Sequence, residues 1–90
     1  MPRVKLRIRG RVQGVGFRHF AKTNAEKYGL VGHTKNRIDG SVEVEVQGDR
    51  TSIQSFIGAM HIGPGYAEVG SVEITEIEEN SYEKTFRVIF

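Results

Sequence analysis

Val4, Leu6 and Ile8 alternate with Lys5, Arg7 and Arg9 near the start of the chain, the two-residue period of a strand with one buried face. The pattern stops at Gly10 and gives way to a glycine-rich stretch, Arg11-Val12-Gln13-Gly14-Val15-Gly16. From Phe17 the period becomes helical, with Phe17, Phe20, Ala21, Ala25 and Tyr28 near one face, and Gly29 is a stop signal because it takes the left-handed conformation without a Cβ clash. A second strand is predicted from Leu30 to about Arg37, followed by the turn signal Asp39-Gly40. The third strand, Val42 to Val46, carries Val42, Val44 and Val46 on one face and Glu43, Glu45 and then Gln47 on the other. Gly48-Asp49 opens a second helix, with Asp49 able to cap its free N–H groups and Ile53, Phe56, Ile57 and Met60 at its apolar positions. Gly63-Pro64-Gly65 breaks that helix. Val69 to Ile77 reads as a fourth strand, and Phe86, Val88 and Phe90 mark a short closing one.

The order β-α-β-β-α-β with a short C-terminal strand predicts an α+β domain of the ferredoxin-like split β-α-β class. Two helices then cover one face of a mostly antiparallel sheet. Residues 1–90 make a single domain, since a chain of this length buries only roughly 60–65% of the surface its unfolded form exposes. The first and third strands are expected as parallel neighbours at the centre of the sheet. Lys5, Arg7 and Arg9 then lie beside Glu43 and Glu45 on the solvent-facing side and are neutralised there.

Composition narrows the chemistry. With 38% hydrophobic and 27% charged residues the chain is expected to be globular, and no apolar run is long enough to span a membrane. It contains no cysteine, which excludes disulfide scaffolds, thiolate metal sites and cysteine nucleophiles, and which is compatible with a cytoplasmic protein. The net charge of +2 is a small excess of bases and not a polybasic surface.

The informative segment is Gly10 to Arg18. A loop with three glycines between a strand and a helix can turn its N–H groups inward as a nest, and the helix dipole adds positive potential. A tetrahedral oxyanion such as phosphate fits there, and Arg18 offers paired donors at the loop exit. The loop lacks the Gly-Lys-Ser/Thr ending of a nucleotide P-loop, and Gly14-Val15-Gly16 lacks the third glycine of a dinucleotide fingerprint. On the glycines alone, a strand–helix turn that needs glycine for tight packing remains the alternative.

The run Ile8-x-Gly10-x-Val12-Gln13-Gly14-Val15-x-Phe17-Arg18 resembles the first signature of the acylphosphatase family, and Gly32, Lys35, Asn36, Gly40, Val42 and Gly48 stand at the spacing of its second. His33 and Thr34 depart from it, replacing an aromatic and a small apolar residue. The resemblance implies hydrolysis of acyl phosphates to a carboxylate and inorganic phosphate, with no metal or cofactor. It implies a phosphate cradle formed by Gln13, Gly14, Val15, Gly16, Phe17 and Arg18, with Arg18 as the essential phosphate-binding side chain and Asn36 holding the attacking water. It also suggests that the carboxylate of Phe90 orients Arg18. The partners implied are a small-molecule acyl phosphate and inorganic phosphate as product and inhibitor, handled by a monomer without nucleic acid or membrane. Such a sparse site is chemically sufficient, because a carboxylate leaving group with a pKa of roughly 4–5 departs without a general acid. Electrostatic stabilisation and in-line alignment remain as the main requirements.

The alternatives are a ferredoxin-like nucleic-acid-binding module and an anion-sensing module without turnover. RNA-binding modules of this element order display aromatics on the open sheet face, whereas the corresponding strands here offer Lys5, Arg7, Arg9, Glu43 and Glu45. The histidines His19, His33 and His61 are expected as surface or helix-face residues, with no spacing that brings them together with carboxylates at a metal.

Overall fold

In the computed structural model, which describes residues 1–90, the elements follow as β1 (Arg3–Arg11), α1 (Phe17–Lys27), β2 (Val31–Asn36), β3 (Val42–Gln47), α2 (Arg50–Ile62), β4 (Glu68–Ile77) and β5 (Phe86–Ile89). The strands form one five-stranded sheet in the order β4-β1-β3-β2-β5. Every neighbouring pair is antiparallel except β2 and β5, which run parallel. This is the ferredoxin-like arrangement that the order of elements predicts.

The two central strands correct one expectation: β1 and β3 are antiparallel, not parallel. The connections require it. A helical crossover returns β2 parallel to β1, and the tight turn after β2 reverses the chain, so β3 enters between them antiparallel to both. Facing and register are unaffected by this direction. Val4 pairs with Val46, Leu6 with Val44 and Ile8 with Val42 on one face, while Lys5 meets Glu45 and Arg7 meets Glu43 on the other.

The apolar ladder forms the floor of the core. Phe17, Ala21 and Ala25 of α1 and Ile53, Phe56 and Met60 of α2 close over it, at the three-to-four-residue spacing of a buried helix stripe. Gly29 ends α1 with a φ of +69°, as expected, and Leu30 drops into the core behind it. Asp49 precedes α2, but its side chain makes no capping bond; only its main-chain carbonyl engages, accepting from Ile53 N–H at 2.9 Å.

The opposite face is covered at its centre by paired charges, while its β4 side stays exposed. The Glu43 side chain is buried, with Arg37 Nη1 at 3.1 Å, Arg7 Nη2 at 3.4 Å and Lys35 Nζ at 3.8 Å. Arg3 is 3% exposed and lies 2.9 Å from Glu45 and 2.5 Å from Glu83, a residue of the segment that leads into β5. Arg9 pairs with Glu73 of β4, so the basic stripe is largely neutralised in place, although Lys5 itself joins no ion pair.

His33 belongs to this network and is not a simple surface histidine. Its Nδ1 lies 3.1 Å from Glu83 and its Nε2 lies 3.7 Å from Glu45. His33, Glu43 and Glu45 therefore do converge, with one ligand atom of each within 4.8 Å of the others. The two carboxylates already face Arg3, Arg7, Arg37 and Lys35, which makes the cluster an ion-pair network. Thr34, the other departure from the signature, is fully buried and donates its hydroxyl to the Glu43 carbonyl at 3.0 Å.

Candidate active site

β1 ends at Arg11, and the chain crosses to α1 through Val12 to Gly16. Val12 and Phe17 are buried at the two ends of this crossing and anchor it in the core, while Gly14 and Gly16 remain exposed between them. Both glycines are left-handed, with φ of +72° and +79°, and a Cβ built at either meets nothing within 4 Å. Packing is therefore not what demands glycine here; backbone conformation is. Gly10 is the contrast, because its Cβ would lie 2.2 Å from the Glu68 carbonyl of β4.

The loop presents a set of unpaired donors. No main-chain N–H from Gln13 to Gly16 donates to any group of the protein. The first bond of α1 runs from Phe20 N–H to the Gly16 carbonyl at 3.0 Å, so the N–H groups of Phe17, Arg18 and His19 have no acceptor within the helix. Helix start and loop together form a concentration of N–H dipoles suited to an anion.

Arg18 stands in the first turn of α1, half-buried, with its Nη1 donating to the Ile89 carbonyl at 3.2 Å. Its guanidinium carbon lies 4.7 Å from the centre of the Phe90 ring. The contacts that hold Arg18 at this end are thus the carbonyl one residue before Phe90 and the Phe90 ring. Every other arginine of the chain pairs with a carboxylate, and Arg18 alone does not.

Asn36 is the exposed last residue of β2 and faces the same cavity as Gly14, Gly16, Phe17 and Arg18. The turn that follows it is held from two directions. Asp39 accepts from the Ser41 hydroxyl at 2.6 Å and from Ser41 N–H at 3.0 Å. Those two hydrogen bonds, helped by the charges of Arg7 and Arg9, outweigh desolvation and hold the Asp39 carboxyl below its ordinary value. From the loop side, the Gln13 side chain donates to the carbonyls of Arg37 and Ser41 at 2.7 and 2.8 Å. Gln13 thus ties the loop to the Asn36 turn through its side chain.

Of the residues singled out in the sequence, Gly14, Gly16, Phe17, Arg18 and Asn36 line one cavity, whereas Gln13 and Val15 support the loop beside it. The Ile89 carbonyl and Lys22, which also lines the cavity, were not anticipated. Lys22 was accessible in principle, because it lies one helical turn beyond Arg18 on the same face. The Ile89 carbonyl was not, since a main-chain oxygen carries no residue-type signal.

Fold and loop together define a ferredoxin-like domain with an exposed, glycine-rich strand-to-helix turn whose N–H groups are unpaired. The acylphosphatase family model matches residues 4–88. The chain is 42% identical to an acylphosphatase of Geobacillus kaustophilus, over its whole length and 96% of that protein. Among solved structures, it superposes on the acylphosphatase from Bacillus subtilis with a TM-score of 0.96 at 36% identity, covering both chains completely. For an acylphosphatase from Coxiella burnetii the TM-score is 0.93 at 35% identity, over 98% of this chain and 92% of that one. The chain belongs to the acylphosphatase family, and its activity is that of a hydrolase of acyl phosphates.

Proposed function

We propose that Arg18, the loop N–H groups and Asn36 carry out this hydrolysis between them. Arg18 and the N–H groups of Gln13 to Arg18 receive the three non-bridging phosphoryl oxygens, and the Asn36 amide holds a water opposite the leaving carboxylate. The water oxygen bonds to phosphorus as the bond from phosphorus to the acyl oxygen breaks. The electron pair of that bond leaves with the carboxylate, and the water's protons pass to phosphate oxygens and solvent. This mechanism gives no side chain the role of base, and the leaving group asks for no acid. Fixed dipoles aimed at the equatorial oxygens, where charge is shared in the transition state, do most of the stabilising.

The observation that carries this reading is the state of Arg18. It is the one arginine without a carboxylate partner, and it sits at a helix start whose neighbouring N–H groups are also free. A half-buried cation beside unsatisfied donors is stable chiefly where an anion is to be bound.

A monomer acting in the cytoplasm on a small molecule fits the same picture. Every residue given a role here comes from one chain, and the absence of cysteine is compatible with a reducing compartment. The charged sheet face carries ion pairs and no aromatic platform on β1 or β3, which disfavours nucleic acid. The test is benzoate release from benzoyl phosphate in water enriched in heavy oxygen. The label is expected in phosphate and not in benzoate, with added inorganic phosphate inhibiting competitively. Label in benzoate would contradict attack at phosphorus, and non-competitive inhibition would contradict the cradle.

A further inference from the structure

The cavity at Arg18 and Asn36 continues beyond the phosphate loop, between α1 and β5, past His19, Lys22 and Glu26 on the helix and Thr85 to Val88 at the start of the strand. At about 800 Å³ it has room for much more than a phosphoryl group. Its apolar wall comes partly from Val88 and Phe90.

Arg18, Lys22 and Glu26 are four residues apart and share one face of α1, with Phe17, Ala21 and Ala25 buried beneath. Lys22 lies one turn beyond Arg18, about 6 Å along the axis, a gap that a short acyl group can bridge. It is half-buried, and it enters no hydrogen bond and no ion pair. Glu26 does not capture it, and a lysine placed N-terminal to a glutamate at this spacing is the weaker orientation of such a pair. Arg87, a further cation along the groove, stands opposite His33 in the sheet register and is held by Glu83 at 3.6 Å. An unheld ammonium therefore stands where the acyl half of a substrate would lie once its phosphate is on Arg18.

We propose that Lys22 is a specificity-determining residue that favours acyl phosphates whose acyl group carries a second anionic group at its far end. The inference rests on the acyl phosphate reading of the site and adds to it the class of acyl group. Glu26, a further turn along, repels an anion that reaches past Lys22 and so sets a limit on acyl length.

The experiment compares two pairs of probes on the wild type, Lys22→Gln and Lys22→Glu. Phenylphosphonate and 4-carboxyphenylphosphonate report binding by calorimetry, and benzoyl phosphate and 4-carboxybenzoyl phosphate report kcat and KM. The wild type is expected to favour the carboxylated member of each pair about two- to fivefold, the scale of one partly exposed ion pair. The preference should appear in Kd and KM, not in kcat, and should shrink as salt is raised. It should vanish in Lys22→Gln and invert in Lys22→Glu. The same ratio in all three proteins would overturn the role of Lys22. Binding of the phosphonates without hydrolysis of benzoyl phosphate would overturn the hydrolytic reading alone, with the ratio of Kd values still deciding the role of Lys22. A wild type that neither binds the phosphonates nor hydrolyses the phosphates would overturn both.

Discussion

Nη1 of Arg18 donates to the main-chain carbonyl of Ile89 across 3.2 Å, joining the first turn of α1 to the last residue of β5. The side chain proposed to bind phosphate is thus aimed by β5, a strand remote from it along the chain. β5 in turn lies parallel to β2, with Ile89 opposite Lys35 and next to the position of Asn36. One edge of the sheet therefore places both proposed catalytic residues.

Because a carbonyl and a ring hold Arg18, lengthening the chain beyond Phe90 is expected to leave kcat/KM for benzoyl phosphate within about twofold. Phe90→Ala removes the ring beneath the guanidinium. That contact is worth about 0.5–1 kcal/mol at an exposed site, so roughly a two- to fivefold loss in kcat/KM is expected. A large loss on extension would instead point to the terminal carboxylate.

Gln13 couples the loop to the turn after Asn36 through two hydrogen bonds to main-chain carbonyls. Gln13→Ala removes both, at about 0.5–1.5 kcal/mol each. Urea denaturation should show a loss of about 1–3 kcal/mol in stability. At urea concentrations far below the transition, kcat should also fall, since the Asn36 turn loses its tie to the cradle. Gln13→Glu should be worse than alanine, because its carboxylate would face two carbonyl oxygens. Full activity in a destabilised Gln13→Ala would show that the tie is structural only.

The charged face of the sheet has a defined response to acid. Burial pushes the Glu83 carboxyl up, but hydrogen bonds from His33 and Arg3 and the charges of both outweigh it, so the net shift is downward. A carboxylate whose folded pKa is depressed contributes stability above its unfolded value, and that contribution disappears as pH falls through the folded value. The wild type should therefore lose stability below the ordinary glutamate range, and Glu83→Gln should narrow the difference between neutral and acid conditions. Arg3→Ala should cost about 3–5 kcal/mol at neutral pH, because it leaves Glu83 and Glu45 partly buried without their main counter-charge. Urea midpoints measured from neutral to strongly acid buffers check both variants.

How much of this was legible in the sequence follows from how local each feature is. The alternation around Leu6 and Val44, the helical stripes through Ala21 and Phe56, and the stop at Gly29 are set by nearest neighbours, and all of them recur in the fold. Gly14, Gly16 and Arg18 stood out because left-handed backbone and paired donors depend on residue type, whereas Asn36 came only from the resemblance to a family signature. Strand direction between β1 and β3 was misread, since both directions give the same pattern of faces. The partners of Arg3, Glu83 and His33 lie on elements far apart in the chain, and no periodicity reports which charges a sheet will bring together. The capping by Asp49 failed for a related reason: a suitable residue type permits a cap without requiring one.

The division of labour between Arg18 and Asn36 is tested most directly by measuring kcat for benzoyl phosphate and the inhibition constant of inorganic phosphate in Arg18→Ala and Asn36→Ala. Loss of a donor aimed at the transition state costs on the order of 10²–10³ in rate, so both variants should be nearly inactive, with Arg18→Ala the more severe. Thermal unfolding should show both folded. Phosphate inhibition of the residual activity should weaken strongly in Arg18→Ala and stay near the wild-type value in Asn36→Ala. Near-normal turnover in either variant, or phosphate affinity unaffected by loss of Arg18, would contradict the account.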